Sequence, residues 1–189
     1  AMGLLASNTE QRLQVMRFLP NDPDSQRGQQ LLVCADTHLG RRASVLRLFN
    51  GRRMPPSVID AVTNKRKAPG SAAVRSGQRS VTIGGTLEGG FFVVMALDPL
   101  IQKRLYAVAR RIVQTLPQPA GINPIQARED APVTQRYAKS TPILDGDLVF
   151  RYLSIDKTSQ KNVAEAIGSE DRIVIENLLE IQLASTLAT

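Results

Sequence analysis

The spacing of hydrophobic positions changes once along this chain, near residue 98. Upstream, apolar residues alternate or form short runs. Arg12–Leu19 places Leu13 and Val15 on one face of a strand and Met16 and Phe18 on the other. Leu31–Ala35 is apolar on both faces, as an interior strand would be. Asp36–Gly40 then reads as a turn, with Ala43–Phe49 returning as a third strand, so the spacing predicts an antiparallel meander. Val81, Thr82 and Ile83 are β-branched, and Phe91–Met95 is a short apolar run. Gly84, Gly85, Gly89 and Gly90 between them fit a hairpin, through positive φ or close backbone approach. About five strands result. Residues 1–10 read as polar and are expected to fray.

Downstream the period becomes helical. Asp98 is placed to cap a helix and Pro99 to open it. Ile101, Leu105, Val108, Ile112 and Leu116 then make one apolar face, and Pro117 and Pro119 stop the helix. A proline-rich connector runs to Thr141, with a turn at Gly121–Pro124 and a short helix at Ile125–Arg128. Three further helices are predicted at about 146–155, 157–167 and 170–185, packed on the 99–116 helix. Asp145 caps the first of these, and Leu148, Tyr152 and Ile155 form its stripe. Asp156 or Thr158 starts the second, and Gly168 ends it in the left-handed conformation. Ser169 is the expected cap of the third, whose buried face is Val174, Leu178 and Ile181.

Composition narrows the class. Apolar residues make up 42% of the 189, enough for a packed core, and aromatics only 4%. No apolar run is long enough to span a bilayer, and no signal-peptide pattern opens the sequence. Ala1-Met2-Gly3 reads as a cloning scar, so the chain is expected to be an excised piece of a longer protein. The single cysteine, Cys34, excludes an internal disulfide and fits a reducing compartment.

Charge is unevenly spread within the net +7. Residues 41–79 hold ten Lys or Arg against Asp60 alone, whereas 141–189 balances to −4. Arg41, Arg42, Arg52, Arg53, Lys65, Arg66 and Lys67 are therefore candidates for contact with nucleic acid. Phe49 is the one stacking residue there, so such binding would be weakly selective. Lys65-Arg66-Lys67 also suits a nuclear import signal, and a solvated loop explains the same composition. Residues 50–79 are expected to be flexible, apart from a helical turn at Ser57–Val62.

Candidate chemistry is thin. Cys34, Asp36 and His38 alternate along a strand, but successive same-face residues are about 7 Å apart, too far for a thiolate–imidazole bond. With one His and one Cys, a zinc site would need carboxylates throughout. The glycines at 84–90 lack the spacing of a phosphate-binding loop. Asn162–Glu180 has the rhythm of a helix-turn-helix, but its second helix is acidic and would be repelled by phosphates. A packed helical hairpin is expected instead. No catalysis, metal or cofactor is expected.

Several stretches together resemble a known family. Thr86-Leu-Glu-Gly-Gly90 precedes an apolar strand and a long helix. Gly121-Ile-Asn-Pro124 is followed by Arg128. Ile143-Leu-Asp-Gly-Asp-Leu148 is followed by Arg151-Tyr152-Leu153, and Ala35-Asp36-x-His38-x-Gly40 lies upstream. The tail from Ile167-Gly168 through Leu178-Leu179-Glu180 completes the pattern. This combination resembles the cleavage and polyadenylation specificity factor A domain family, and within it the largest-subunit branch most. The resemblance covers about 85–185, with weaker support over 12–50, and residues 50–79 depart from it.

The resemblance implies an α+β fold. Residues 1–97 would be antiparallel strands ending a β-propeller, with a basic insertion at 50–79, and 98–189 would be a C-terminal helical domain. Gly89, Gly90, Asn123, Pro124, Asp145, Gly146, Arg151 and Tyr152 would be structural residues of its motifs. It further implies a nuclear, non-enzymatic scaffold in pre-mRNA 3′-end processing, whose partners are other subunits of that complex. An RNA-binding module acting through 41–79 is the alternative. Either way, the fragment alone is expected to self-associate or to need a partner subunit, because five strands cannot close a propeller ring.

Overall fold

In the computed structural model, which describes residues 3–50, 80–117, 121–129 and 141–186, the alternating segments build two separate sheets. The first contains β1 (Gly3–Ser7), β2 (Arg12–Arg17), β3 (Leu32–His38) and the two-residue β7 (Thr141–Pro142), in the order β1-β2-β3-β7. The second contains β4 (Ala43–Asn50), β5 (Ser80–Thr86) and β6 (Phe91–Met95), in that order. Five helices follow: α1 (Pro99–Thr115), α2 (Pro124–Glu129), α3 (Gly146–Phe150), α4 (Lys157–Ala166) and α5 (Asp171–Thr186). The class is α+β.

The helices follow from local signals. Asp98 accepts the Leu100 N–H at 2.9 Å and Pro99 opens α1, a cap worth about 1 kcal/mol. Leu105, Val108 and Ile112 on its apolar face are fully buried. They pack with Leu148, Val149, Tyr152, Val163, Val174 and Leu178 from α3, α4, α5 and the 3-10 turn Arg151–Ser154. The helix expected over 146–155 is thus a short α-helix that tightens into this turn. Asp156 caps α4 by accepting the Ser159 N–H at 3.0 Å, and its carboxyl is held below the usual range by the side chain and then the backbone of Ser159. Gly168, at φ +69°, ends α4 as expected.

Ser169 is a correction. It does not cap α5 but completes the end of α4: its N–H donates to the Ala164 carbonyl at 2.9 Å, beside Gly168 N–H to Glu165 at 3.0 Å. Its hydroxyl is left buried without a hydrogen-bond partner, and the Glu170 carbonyl accepts the first bonds of α5.

The strand partners differ from the expected meander. β2 and β3 pair antiparallel, but β4 pairs with β5 in the other sheet. The physical reason lies at the β3 end, where the Leu39 N–H turns back to Gln11 and Gly40 takes φ +73°, leading the chain away. Asp36 and His38, expected in a turn, belong to β3. β7 pairs parallel with β3 through Ala35 and Asp36, so sheet also lies after α1 and is not purely antiparallel. Residues 3–10, expected to fray, instead form a hairpin with β2. Gly3–Ser7 pairs with β2, and the Asn8 side chain closes that hairpin by accepting the N–H groups of Glu10 at 3.1 Å and Arg12 at 2.9 Å. Seven strands are present among the described residues, against about five expected. The flexibility expected of 50–79 and the turn at Ser57–Val62 lie outside the described residues.

Candidate functional site

Motifs read separately along the chain meet where β3, α2 and the start of α3 come together. Arg128, on α2, donates from Nε to Asp145 Oδ2 at 2.9 Å. Its Nη1 donates to the carbonyls of His38 at 3.2 Å and Leu39 at 3.1 Å. One side chain thereby ties together three segments that are far apart in sequence. Each partner is fixed locally. Asp145 uses Oδ1 to accept the Asp147 N–H at 3.0 Å, capping α3. Asn123 Oδ1 accepts the N–H groups of Ile125 at 3.0 Å and Gln126 at 3.3 Å, and Pro124 opens α2.

Beneath this clasp the Asp36 carboxylate forms a nearly buried ion pair with Arg12, at the first position of β2. The desolvation of both charges offsets much of their attraction, but removing one would strand the other, at about 3–5 kcal/mol. Arg12 was not singled out in the sequence. The available signal was an arginine opening an alternating apolar strand, with an aspartate in the next strand. A cavity of about 20 Å³ lies alongside, lined by Asp36, Thr37, Tyr106, Arg128, Asp145 and five aliphatic neighbours. It suits one water molecule and is too small for a cofactor.

The constellation of Cys34, Asp36 and His38 does not assemble as a nucleophile site. Asp36 is engaged by Arg12, the Cys34 thiol approaches the Leu32 carbonyl at 3.6 Å, and the clasp uses the His38 backbone. Among the described residues, no group of three His, Cys, Asp or Glu side chains could hold a metal ion.

The remaining family-motif residues sit in three places. Gly89 takes φ +82° in the β5–β6 turn, and the Gly90 N–H donates to Thr86 Oγ1 at 3.0 Å. Gly146 is open, since a Cβ there would meet nothing within 4 Å. Arg151 is exposed. Tyr152 is fully buried: its hydroxyl donates to the Gln160 carbonyl at 2.9 Å, and Gln160 Nε2 donates back to the Tyr152 carbonyl at 2.9 Å. Burial, aided by Asp171, pushes its pKa up to about 12. Of the basic candidates, Arg41 and Arg42 are exposed at the start of β4, and Arg41 pairs with Glu88 at 3.2 Å. Arg52, Arg53, Lys65, Arg66 and Lys67 lie outside the described residues.

A second feature is the β4–β5–β6 sheet. Its register puts Val45, Gly85 and Phe91 in one row of one face, with Arg47, Ile83 and Val93 in the next and Phe49, Val81 and Met95 beyond. Phe91 is 85% exposed and Val45 50%, and Phe49 and Val93 are also exposed, whereas Val81 in the last row is buried, so the exposure lies toward the Val45–Phe91 end of the face. On the opposite face Leu48 is 65% exposed, while Gly84 lies under the Phe92 ring. Among the described residues, β4 and β6 each pair on one side only. An apolar face and two open edges are a surface that another sheet or chain can cover.

Comparison with known proteins adds a lineage to this geometry. The family model described as the CPSF A subunit region matches residues 1–154. The chain is 24% identical over 186 residues to "Probable cleavage and polyadenylation specificity factor subunit 1" of Oryza sativa subsp. japonica, covering 98% of this chain and 12% of that protein. It is 25% identical over 187 residues to "Cleavage and polyadenylation specificity factor subunit 1" of Arabidopsis thaliana, with the same two coverages of 98% and 12%. It is 25% identical over 167 residues to "Protein CFT1" of Saccharomyces cerevisiae, covering 88% of this chain and 11% of that protein. The chain thus spans about 12% of the length of the curated relatives it matches.

Proposed function

This chain belongs to the CPSF A subunit family, and on that premise we propose that it is a non-enzymatic scaffold segment of the nuclear machinery that cleaves and polyadenylates pre-mRNA. The observation that carries the reading is the β4–β5–β6 sheet, where Phe91 and Val45 are exposed on one face and, among the described residues, neither edge strand has an outer partner. A propeller blade has four strands and is flanked by other blades. A sheet with three strands and two open edges among the described residues fits a blade completed and covered by further polypeptide. On this reading residues 1–97 are terminal propeller strands and 98–189 a helical domain. The Arg128 clasp holds the two in one orientation, so that both present a fixed surface to other subunits of the complex. The names of the relatives support the process, and the exposed sheet face supports a binding role.

The test is co-expression of the tagged chain with the subunits of a 3′-end processing complex, followed by mass spectrometry of what co-purifies. Wild-type chain should retain one or more of those subunits. Val45→Asp with Phe91→Asp should lose them while keeping the circular dichroism spectrum. Retention of no processing subunit by the wild-type chain would overturn the proposal.

A further inference from the structure

The outer face of α1 carries charge that the scaffold reading leaves unused. Lys103, Arg104, Arg110 and Arg111 lie within an arc of roughly 120° when projected at about 100° per residue, opposite the buried Leu105 and Ile112. Lys103, Arg110 and Arg111 are exposed and Arg104 is half-buried. The helix contains no Asp or Glu, and among the described residues no carboxylate forms an ion pair with any of the four. They form two pairs seven residues apart, so the pairs are about 10.5 Å apart along the axis. Between the pairs the face is set by Ala107, whose small side chain leaves room for close approach, and Gln114 and the exposed Leu100 continue it at the two ends.

We propose that this face of α1 is a contact surface for the phosphate backbone of single-stranded RNA. Two cation pairs two helical turns apart, separated by a small residue, match a flexible polyanion crossing the helix. Arginine, which supplies three of the four charges, gives phosphate oxygens a forked set of donors. No aromatic side chain stands on this face, so the contact reads charge and not base identity. None of the four residues belongs to the basic tract at 41–79 or to the β4–β5–β6 sheet. The choice of RNA as the polyanion rests on the processing role proposed above.

The experiment is fluorescence anisotropy of a labelled single-stranded oligouridine titrated with the full chain from 50 to 200 mM salt. Four phosphate contacts predict a slope of log affinity against log salt of about −2.8, which is about a fifty-fold loss across that range. Neutralising all four residues (K103Q, R104Q, R110Q and R111Q) should abolish that component, while R104K, R110K and R111K should retain it. Circular dichroism checks that each variant is folded. Neutralising Arg52, Arg53, Lys65, Arg66 and Lys67 should leave the slope in place. Three results would each overturn the proposal: an unchanged slope in the fourfold glutamine variant, a slope lost with the 52–67 residues instead, or displacement of the RNA by polyglutamate at equal charge concentration. The last would assign the face to an acidic protein segment. Val45→Asp with Phe91→Asp should not affect RNA binding, so failure of this proposal and failure of the scaffold reading are read separately.

Discussion

Tyr152→Phe removes one oxygen atom from the centre of the helical core. The side chain is fully buried, and its hydroxyl donates to the Gln160 carbonyl at 2.9 Å. Losing that bond should cost about 1–1.5 kcal/mol near neutral pH, the usual net contribution of a buried neutral hydrogen bond. The alkaline limb adds a sharper signature. The native pKa is about 12 and the unfolded value about 10. Between those values the native state holds a proton that the unfolded chain releases. The contribution of Tyr152 is therefore complete below about pH 10 and lost as pH rises toward 12. One unit above the unfolded pKa, the wild-type chain should have lost about 1.4 kcal/mol that phenylalanine cannot lose. Urea unfolding followed by circular dichroism, repeated from pH 8 to pH 11.5 on both proteins, measures the difference. It should shrink above pH 10 and vanish near pH 11. A difference that stays constant with pH, or is absent at pH 8, would refute the buried, hydrogen-bonded hydroxyl.

Other substitutions test other joints. Leu178→Ala removes a fully buried side chain from the same core and should cost about 2–5 kcal/mol in urea unfolding; a cost near zero would mean that face of α5 is not packed. Gly84→Ala would place a Cβ 2.1 Å from the Phe92 ring, so the β5–β6 hairpin should lose about 1–3 kcal/mol or fail to form, whereas Gly146→Ala should be tolerated. Arg128→Met removes three hydrogen bonds, two of them to backbone carbonyls. Because the ion pair is partly exposed, about 1–3 kcal/mol is expected. Amide exchange should rise around 141–148 and 36–39 more than in α1.

The helical part was largely legible in the sequence because its determinants are local. Asp98, Asp145 and Asp156 each act within three residues of themselves, and the stripe of α1 needs only helical spacing. Strand partners are not local. Nothing in Ala43–Asn50 distinguishes pairing with β3 from pairing with β5, and the choice is made by Gly40 and by the Leu39 bond to Gln11. The first strand was hidden because Leu4, Leu5 and Ala6 make only a three-residue apolar run that lacks clear alternation and leads straight into the polar stretch Ser7–Arg12. Ser169 misled because it satisfies the sequence rule for a cap while its backbone is committed to the end of α4. The clasp shows the same division. Asn123 and Asp145 as caps were within reach of local reasoning. Arg128 bonds residues 17, 89 and 90 positions away, and only the resemblance placed it among the motifs.

Sedimentation velocity of the purified chain tests the central claim most directly, since a scaffold segment that exposes Phe91 and Val45 on one sheet face should bury them against something. Across a concentration series the wild-type chain should sediment above the monomer, and Val45→Asp with Phe91→Asp should return it to a folded monomer. A wild-type chain that stays monomeric at every concentration would contradict the account, because the exposed face would then need no cover.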